Sequence, residues 1–334
     1  MPSLLTSPLS WSRREFIAGC AGAAAWAAGG ATGSAAVSAS EGGAATAAAT
    51  TLPGAWHVFA KPFHALSYGA TAELIAGACF GGIDFTVRPG GHVLPERVKE
   101  DLPRAVEAAR AAGLRVDMIT TGILSLATPH AESVLRTAAD LGITVYRLGM
   151  ANYDRALGVL GTLAKVKREL AELAELNAKL GLHGGFQNHA GTWRLGAAGW
   201  DLYEVLRELD PRWLGCQYDI RHATAVSGTS WPVTLELLQP WIRSTVAKDF
   251  RWEQAPGKQS IVNVPLGEGV VDFPAYFSQV RALGIGGPRS LHVEYAPFEP
   301  PVKNPEAAVR AAWLAALRKD AANLQRFLGV TSLR

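Results

Sequence analysis

Eight short apolar segments alternate with helical patterns along residues 56–328 of this 334-residue chain. The strand-like segments are residues 56–61, 82–88, 114–121, 144–149, 182–188, 214–219, 244–249 and 289–295. Strands that alternate with helices form parallel βαβ units, and eight such units favour closure into a barrel over an open sheet. The sequence therefore predicts an α/β protein with a single (β/α)8 TIM barrel over residues 53–330.

The helical patterns between these segments support the same arrangement. They cover residues 70–79, 95–112, 130–141, 155–180, 197–209, 231–239, 272–284 and 303–328. Several end at a glycine, where a left-handed backbone commonly closes a helix. One connection, residues 250–271, is unusually long for a compact barrel. A loop of that length is either a lid or substrate-contact segment, or a flexible insertion.

The first 52 residues differ in composition from the rest of the chain. Arg13 and Arg14 are followed by a weakly apolar Ala/Gly-rich stretch from Ala18 to Ala36. Paired arginines, a mild apolar region and small residues for cleavage are typical of a twin-arginine export signal. We interpret residues 1–39 as that signal and residues 40–52 as a flexible linker; a disordered leader and a lipoprotein signal are the alternatives. The pattern predicts a periplasmic or otherwise extracytoplasmic protein with no membrane span after cleavage.

The charge of the chain limits its partners. The formal net charge is +3, and the sequence contains no basic run. Binding to nucleic acid or to an anionic membrane surface depends on clustered Lys and Arg, so both are poor candidates. A small-molecule ligand remains the better expectation.

Polar clusters close four of the apolar segments in the C-terminal half. They are Gln187-Asn188-His189, Asp219-Ile220-Arg221-His222, Lys248-Asp249 and His292-Val293-Glu294. The carboxyl ends of barrel strands meet at one mouth, so these residues are expected to share a site. Oxygen and nitrogen ligands such as Asp219 and Glu294, with nearby imidazoles and amides, suit a divalent Mn, Mg, Co or Zn ion.

The first four strand-like segments add cationic residues at the same end. Lys61 ends the first, Arg88 and His92 follow the second, and Arg147 lies near the end of the fourth. Each of these residues alone is equally well explained as a solvated loop charge. Their shared position favours an anionic or polyhydroxylated ligand.

Five segments resemble the xylose-isomerase-like TIM barrels, a family of sugar isomerases, epimerases and related proteins. They are QNH at 187–189, YDIRHA at 218–223, AKD at 247–249, VPLGEG at 264–269 and GPRSLHVEY at 287–295. The resemblance extends over roughly residues 56–330, nearly all of the chain after the signal and linker. It implies the barrel fold and a carbohydrate substrate.

The resemblance also implies a metal held by Glu, Asp, His and Glu at the ends of strands five to eight. These positions correspond here to Gln187, Asp219, Val246 and Glu294, so two match and two do not. Gln187 can offer a carbonyl oxygen to a metal but cannot accept a proton, and Val246 can do neither. The resemblance therefore implies an atypical metal site of Gln187, Asp219 and Glu294.

The remaining roles follow from the same comparison. Glu294 is the best candidate base, with His222 and Lys248 as further catalytic candidates, either as acid/base groups or in place of a missing ligand. Asn188 and His189 join Lys61, Arg88, His92 and Arg147 as candidate substrate-binding residues.

The expected function is an exported sugar isomerase or epimerase-like enzyme that removes a proton next to a carbonyl of a sugar or oxidised sugar. A lyase with the same single-base enolate chemistry and a non-catalytic carbohydrate-binding barrel are the alternatives.

Overall fold

The computed structural model describes residues 54–334, so the predicted signal and linker, residues 1–52, lie outside the described residues. Ten strands are present in this part of the chain. They are β1 (Trp56–Phe59), β2 (Gly82–Val87), β3 (Met118–Thr121), β4 (Val145–Arg147), β5 (His183–Gln187), β6 (Leu214–Asp219), β7 (Ile242–Ala247), β8 (Asp249–Ala255), β9 (Lys258–Val264) and β10 (Arg289–Leu291).

Eight of these strands close into a parallel barrel. The order around the barrel is β1, β10, β7, β6, β5, β4, β3 and β2, so each strand pairs with its neighbour in sequence once the β8–β9 hairpin is set aside. Trp56 pairs with Arg289 where the last strand meets the first. The predicted (β/α)8 TIM barrel is confirmed, and each of the eight predicted strand segments overlaps a barrel strand.

Nine α-helices accompany the strands in the described residues. They are α1 (Tyr68–Gly77), α2 (Val98–Ala111), α3 (Ala131–Asp140), α4 (Gly158–Leu180), α5 (Trp200–Leu206), α6 (Ile220–Ser227), α7 (Trp231–Leu238), α8 (Phe273–Ala282) and α9 (Ala307–Leu328). Gly181 ends α4 with φ of 68°, a left-handed conformation that glycine adopts without steric cost. Within residues 54–334, none of these helices combines the length and apolarity that crossing a membrane requires.

The helices pack their apolar faces on the outside of the barrel. Trp313 of α9 and Phe63 are fully buried, with ring centres 5.4 Å apart, so α9 packs against the segment that follows β1. Tyr218 of β6 donates to the Trp231 carbonyl at 3.0 Å and so ties β6 to α7. This packing fixes the strand ends, and with them the side chains at the mouth.

Helix α6 and the β8–β9 hairpin are two elements that the sequence analysis did not predict. Helix α6 begins directly after β6, because Asp219 both ends the strand and caps the helix by accepting from the backbone N–H of Arg221 at 3.0 Å. The hairpin occupies most of the long connection over 250–271. Its two strands are antiparallel: Asp249 pairs with Val264 at one end of the hairpin, and Ala255 pairs with Lys258 at the other.

Candidate active site

Glu294 lies at the centre of the polar groups at the barrel mouth. It follows β10, and its Oε1 accepts from the Nζ of Lys61, which follows β1, at 2.7 Å. Its Oε2 accepts from the Nζ of Lys248, which follows β7. Lys61 also donates to Glu299 at 3.0 Å. Glu294 is thus clamped between two ammonium groups brought together by three different strands.

This clamp controls the ionisation of Glu294. Burial alone would raise its pKa, but the positive charges of Lys248 and Lys61 outweigh burial and hold the pKa well below its usual range. The pKa of Lys61 is raised, since the attraction of Glu294 and Glu299 exceeds the opposing effect of burial. Glu294 is therefore an anion throughout the neutral pH range.

A second row of hydrogen bonds crosses the mouth from β4 to β6. An Nη1–H of Arg147 donates to Oε1 of Gln187 at 2.8 Å, and the Nε2 of Gln187 donates to Oδ2 of Asp219 at 2.8 Å. The Gln187 amide is thereby fixed in one orientation, with its oxygen on the guanidinium and its nitrogen on the carboxylate. Burial raises the pKa of Asp219 to about 6, although Lys248 and Arg221 act in the opposite direction.

Asn188 joins the ends of β5 and β6. Its Oδ1 accepts from the backbone N–H of Asp219 at 2.6 Å, and its Nδ2 donates to the Asp219 carbonyl at 3.0 Å. Both ends of the amide are therefore used within the protein. Asn188 positions Asp219 and does not line the cavity described below.

Two histidines are packed against each other beside Asp219. The rings of His189 and His222 have their centres 3.8 Å apart. Nδ1 of His222 accepts from the Arg221 guanidinium at 2.8 Å, which leaves the ring proton on Nε2, 3.6 Å from Oδ2 of Asp219. Nδ1 of His189 donates to the Ala190 carbonyl at 2.7 Å, which leaves a lone pair on its Nε2.

Burial sets the protonation state of these histidines. It lowers the pKa of His189 to about 4, and the charge of Lys248 acts in the same direction. The pKa of His222 is lowered further, again mainly by burial. Both rings are therefore neutral at pH 7, with His222 able to donate and His189 able to accept a hydrogen bond.

A small cavity lies between these groups, with a volume of about 170 Å³. It is lined by Phe59, Lys61, Arg88, Arg147, Met150, Gln187, His189, His222, His292 and Glu294. Seven of the residues predicted from the sequence are among these ten, and Asp219 and Lys248 lie directly behind them. The roles assigned to these residues from the sequence remain predictions, but their convergence on one cavity is observed.

Met150 lines the cavity without a predicted role. Phe59 had none either, and His292 was expected at the mouth only as part of the cluster with Glu294. Their rings are stacked with centres 4.3 Å apart. Phe59 lies two residues before Lys61 on the same side of the chain, so strand alternation would have placed it at the mouth. The buried Nε2 of His292 has no hydrogen-bond partner among the described residues.

His92 and Asp249 lie outside this group. The ring of His92 is held by the Leu66 carbonyl at 3.0 Å and packs on Tyr68, and it does not line the cavity. Its predicted substrate contact remains untested, although its ring is used in packing the loop. Asp249 accepts from four backbone N–H groups, those of Phe250, Gly267, Gly269 and Val271, and so organises the connection after β9.

The β8–β9 hairpin reaches the site through Asn263. The Nδ2 of Asn263 donates to the Glu294 carbonyl at 3.1 Å, and its Oδ1 accepts from the Arg221 guanidinium at 2.9 Å. The hairpin is therefore attached to both β10 and α6 at the mouth. The interpretation of residues 250–271 as a lid or substrate-contact segment stays a prediction.

The donor groups do not fit the divalent metal that the family resemblance implies. Each carboxylate oxygen of Glu294 accepts a hydrogen bond from a lysine ammonium group. Gln187 directs its N–H, not its oxygen, toward Asp219. Val246 lies beside Asp219 in the sheet register and offers no donor atom. Lys248 is also close enough to Asp219 to lower its pKa. Within residues 54–334, no three His, Cys, Asp or Glu side chains are grouped to hold a metal ion. Lysine ammonium groups neutralise Glu294 in this structure.

A closed parallel barrel with its polar side chains gathered at the carboxyl ends of the strands defines a TIM-barrel protein with its candidate site at the mouth. The family model described as "Xylose isomerase-like TIM barrel" matches residues 72–317. The chain belongs to that family, which confirms the resemblance drawn from its motifs.

Solved structures similar to this chain include three with informative descriptions. D-psicose 3-epimerase with D-tagatose from Clostridium cellulolyticum H10 is 9% identical with a TM-score of 0.61, covering 83% of this chain and 100% of that one. The probable 3-DHS dehydratase from Bacillus anthracis is 16% identical with a TM-score of 0.59, covering 79% and 98%. A xylose isomerase-like TIM barrel protein from Mycobacterium smegmatis in complex with magnesium is 16% identical with a TM-score of 0.53, covering 76% and 89%. At these identities the likeness establishes the fold. No curated protein matches the chain.

Proposed function

We propose that this protein is an isomerase or epimerase-like enzyme that removes a proton from the carbon next to a carbonyl of a sugar or oxidised sugar. The proposal rests on the position of Glu294, which accepts from two lysine ammonium groups and lines a small cavity whose other walls present Lys61, Arg88 and Arg147. An anionic base facing cationic groups is the arrangement that enolate formation requires. Similarity to a sugar-bound 3-epimerase agrees with it at the level of fold.

In this proposal Glu294 takes the proton. The C–H bond breaks, the proton passes to Oε1 of Glu294, and the electron pair moves onto the carbonyl oxygen to give an enolate. A carboxylate clamped by two ammonium groups is a weak base, so one of them has to move. Lys61 is the group that can do so, because it is one-third exposed and already shared with Glu299.

The enolate oxygen requires positive charge or hydrogen-bond donors that are already in place. Lys61, which lines the cavity between Glu294 and Glu299, supplies both. Because Gln187 cannot take a proton, the second proton transfer falls to a histidine. His189 has a lone pair on Nε2 and His222 has a proton there, and both line the same cavity.

The family resemblance predicts a divalent metal at Gln187, Asp219 and Glu294, and one of the similar solved structures is a complex with magnesium. No step of the proposed reaction uses a metal, because lysines already neutralise the carboxylates that would bind it. The residues present supply the charge that a metal would otherwise supply.

A lyase is the second candidate function. One specific observation favours it, namely that the cavity is lined by one carboxylate, Glu294, and by the amide of Gln187 where a second would stand. Elimination across an enolate needs one strong base at the α-carbon and an acid for the leaving hydroxyl, which His222 can provide. The fold similarity to a probable dehydratase agrees with this alternative.

Product analysis separates these functions. Purified protein is incubated with ketohexoses, 3-keto-sugars and hexuronates, and the products are identified by NMR and by ultraviolet absorbance. A new epimer or isomer supports the proposal, and a conjugated enone or enol acid supports the lyase. Saturable binding without either product in the whole panel would contradict both and leave a carbohydrate-binding barrel. Glu294→Gln should abolish product, whereas Glu306→Gln, an exposed residue before α9, should not.

We also propose export through the twin-arginine route, on the basis of Arg13 and Arg14 and the Ala/Gly-rich stretch after them. These residues lie outside the described residues. The full-length chain expressed in a bacterium should be recovered from the periplasm, and the double variant Arg13→Lys/Arg14→Lys should remain in the cytoplasm. Equal distribution of the two would contradict the assignment.

A further inference from the structure

Two arginine side chains, Arg88 and Arg147, line the cavity, and within residues 54–334 no carboxylate makes a hydrogen bond or an ion pair with either. Arg147 is buried, and its hydrogen bond goes to the neutral amide of Gln187. Its Nε has no partner among the described residues. The side chain of Arg88 makes neither a hydrogen bond nor an ion pair within residues 54–334, and its guanidinium carbon lies 5.8 Å from the centre of the Phe59 ring. That of Arg147 lies 5.9 Å from the same centre.

Two neighbouring guanidinium groups without a carboxylate are unfavourable in a partly dry site. Burial lowers the pKa of both arginines, and the charge of Arg88 lowers that of Arg147 further. Asp84 and Glu294 act in the opposite direction on both, but neither carboxylate makes a hydrogen bond or an ion pair with them in the described residues. Cation–π contact with Phe59 offsets only part of this cost. The arrangement is relieved by an anion that contacts both.

The carboxylates of the site do not fill that place. Glu294 is already neutralised by Lys61 and Lys248. Asp219 accepts from Gln187 and from two backbone N–H groups. Asp84 is fully buried and accepts from Thr120 at 3.0 Å and from Ser290 at 2.9 Å. The guanidinium groups of Arg88 and Arg147 are therefore available to bind an anionic ligand in the cavity.

The size and the other walls of the cavity describe the rest of that ligand. About 170 Å³ corresponds to the space of about six water molecules, which suits one small ring and not an oligosaccharide. Polar groups surround an aromatic wall of Phe59 and His292, and Nε2 of His292 lacks a partner. A hydroxylated ring with one planar anionic group satisfies these features together.

We infer that the cavity binds a monosaccharide that carries a carboxylate, and that Arg88 and Arg147 hold that carboxylate. The inference rests on the proposed function only for the carbohydrate nature of the ligand. Paired planar guanidinium groups match the two oxygens of a carboxylate, and such charge-assisted bonds are stronger than those to a neutral hydroxyl. Arg88 and Arg147 thereby become specificity-determining residues of the site.

Calorimetric titration of the full-length protein tests this inference with matched ligand pairs. D-glucuronate is compared with D-glucose, and D-galacturonate with D-galactose, because each pair differs only in having a carboxylate or a hydroxymethyl group. We expect each uronate to bind at least about tenfold more tightly than its neutral partner, with an advantage that shrinks as salt is added. Acetate and inorganic phosphate serve as anion controls, and D-glucose 6-phosphate tests phosphate as the source of the anionic group.

Variants assign the preference to the guanidinium groups. Arg88→Gln should reduce the uronate preference about tenfold or more while leaving the weak binding of the neutral sugars, and Arg88→Lys should retain part of it. Arg104→Gln removes the same charge from the exposed outer face of α2 and should change nothing. Circular dichroism of each variant establishes that it is folded.

Three results would overturn the inference: equal binding within both ligand pairs, an unchanged preference in folded Arg88→Gln, or tighter binding of the phosphosugar than of the uronates. These outcomes are independent of the proposed reaction, since binding is measured without turnover. Uronate preference without any reaction would contradict the proposed function alone. Turnover of neutral keto-sugars with no uronate preference would contradict the inference alone.

Discussion

The Nζ of Lys61 lies 2.7 Å from Oε1 of Glu294, although 233 residues separate them in sequence. The closure of the barrel between β1 and β10 brings the two together. With Lys248 on its other oxygen, Glu294 is an ionised carboxylate whose counter-ions are supplied by the chain itself. The chemistry of the mouth depends on how tightly these ammonium groups hold it.

The shared position of Lys61 between two carboxylates leads to a first prediction. In Glu299→Gln, Lys61 loses its second anionic partner and stays on Glu294, which becomes a weaker base. We expect kcat to fall about tenfold with little change in KM. Steady-state kinetics with a substrate from the product screen measure this, and Glu306→Gln serves as the exposed control. An unchanged kcat would show that Lys61 need not leave Glu294.

A second prediction concerns the same lysine and the titration of Glu294. Removing its positive charge in Lys61→Met should raise the pKa of Glu294, because Lys61 is one of the groups that lower it. The carboxyl resonance of Glu294, followed by carbon NMR as pH falls, should titrate at a higher pH than in the unmodified protein. The same titration midpoint of Glu294 in both proteins would contradict the conclusion that Lys61 lowers its pKa.

A third prediction concerns metal binding. We expect the unmodified protein, purified without added metal, to contain less than one divalent ion per chain by elemental analysis. The triple variant Gln187→Glu/Val246→His/Lys248→Ala restores two metal-binding side chains and removes the competing ammonium group. It should bind Mn²⁺ about tenfold more tightly or better than the unmodified protein. Val246→Leu is the matched control. Stoichiometric metal in the unmodified protein, removable by a chelator, would contradict the reading of the lysines as the cations of the site.

A fourth prediction follows from the raised pKa of Asp219. Its value is about 6 in the folded protein against 3.8 for an ordinary Asp, so folding favours the protonated form. The stabilisation from this group is complete below about pH 4 and is lost as pH rises through about 6. Relative to Asp219→Asn, the unmodified protein should therefore lose about 3 kcal/mol of stability over this interval, at about 1.4 kcal/mol per pKa unit.

Urea unfolding of both proteins from pH 4 to 7 gives this difference directly. Asn keeps an acceptor for the N–H groups at the start of α6, so the cap itself is retained. A stability difference that does not change with pH would mean that Asp219 has an ordinary pKa.

A fifth prediction separates Asp249 from the catalytic groups. It accepts from four backbone N–H groups, so Asp249→Asn places an amide N–H₂ against donors and should cost about 3 kcal/mol of unfolding free energy. Asp272→Asn is the control, because Asp272 caps α8 through one N–H and Asn caps almost equally well. Denaturant unfolding measures both; equal stability of the two variants would contradict the structural role of Asp249.

The barrel was predictable from the sequence because its signal is repeated. Each buried strand, helix and closing glycine is a local pattern, and parallel topology then brings all carboxyl strand ends to one mouth. That reasoning placed Lys61, Arg147, Gln187 and Glu294 correctly around one cavity without knowledge of any contact.

The pairing of side chains was not predictable in the same way. Asp249 and Asp219 both end predicted strand segments, yet one organises a loop and the other caps a helix beside the cavity. Helix α6 was missed because Arg221 and His222 resemble loop residues, and its cap is also the last residue of β6. Which cation neutralises Glu294 depends on the reach of Lys61 and Lys248 across strands, and a one-dimensional pattern does not contain that information.

Solvent exchange tests the central role of Glu294 most directly. The chelator-treated protein is incubated in D₂O with the carbonyl sugar selected by the product screen, and deuterium at the carbon next to the carbonyl is followed by proton NMR. The account predicts exchange by the unmodified protein and a loss of at least about a hundredfold in folded Glu294→Gln. No exchange by the unmodified protein, or equal exchange by both proteins, would contradict it.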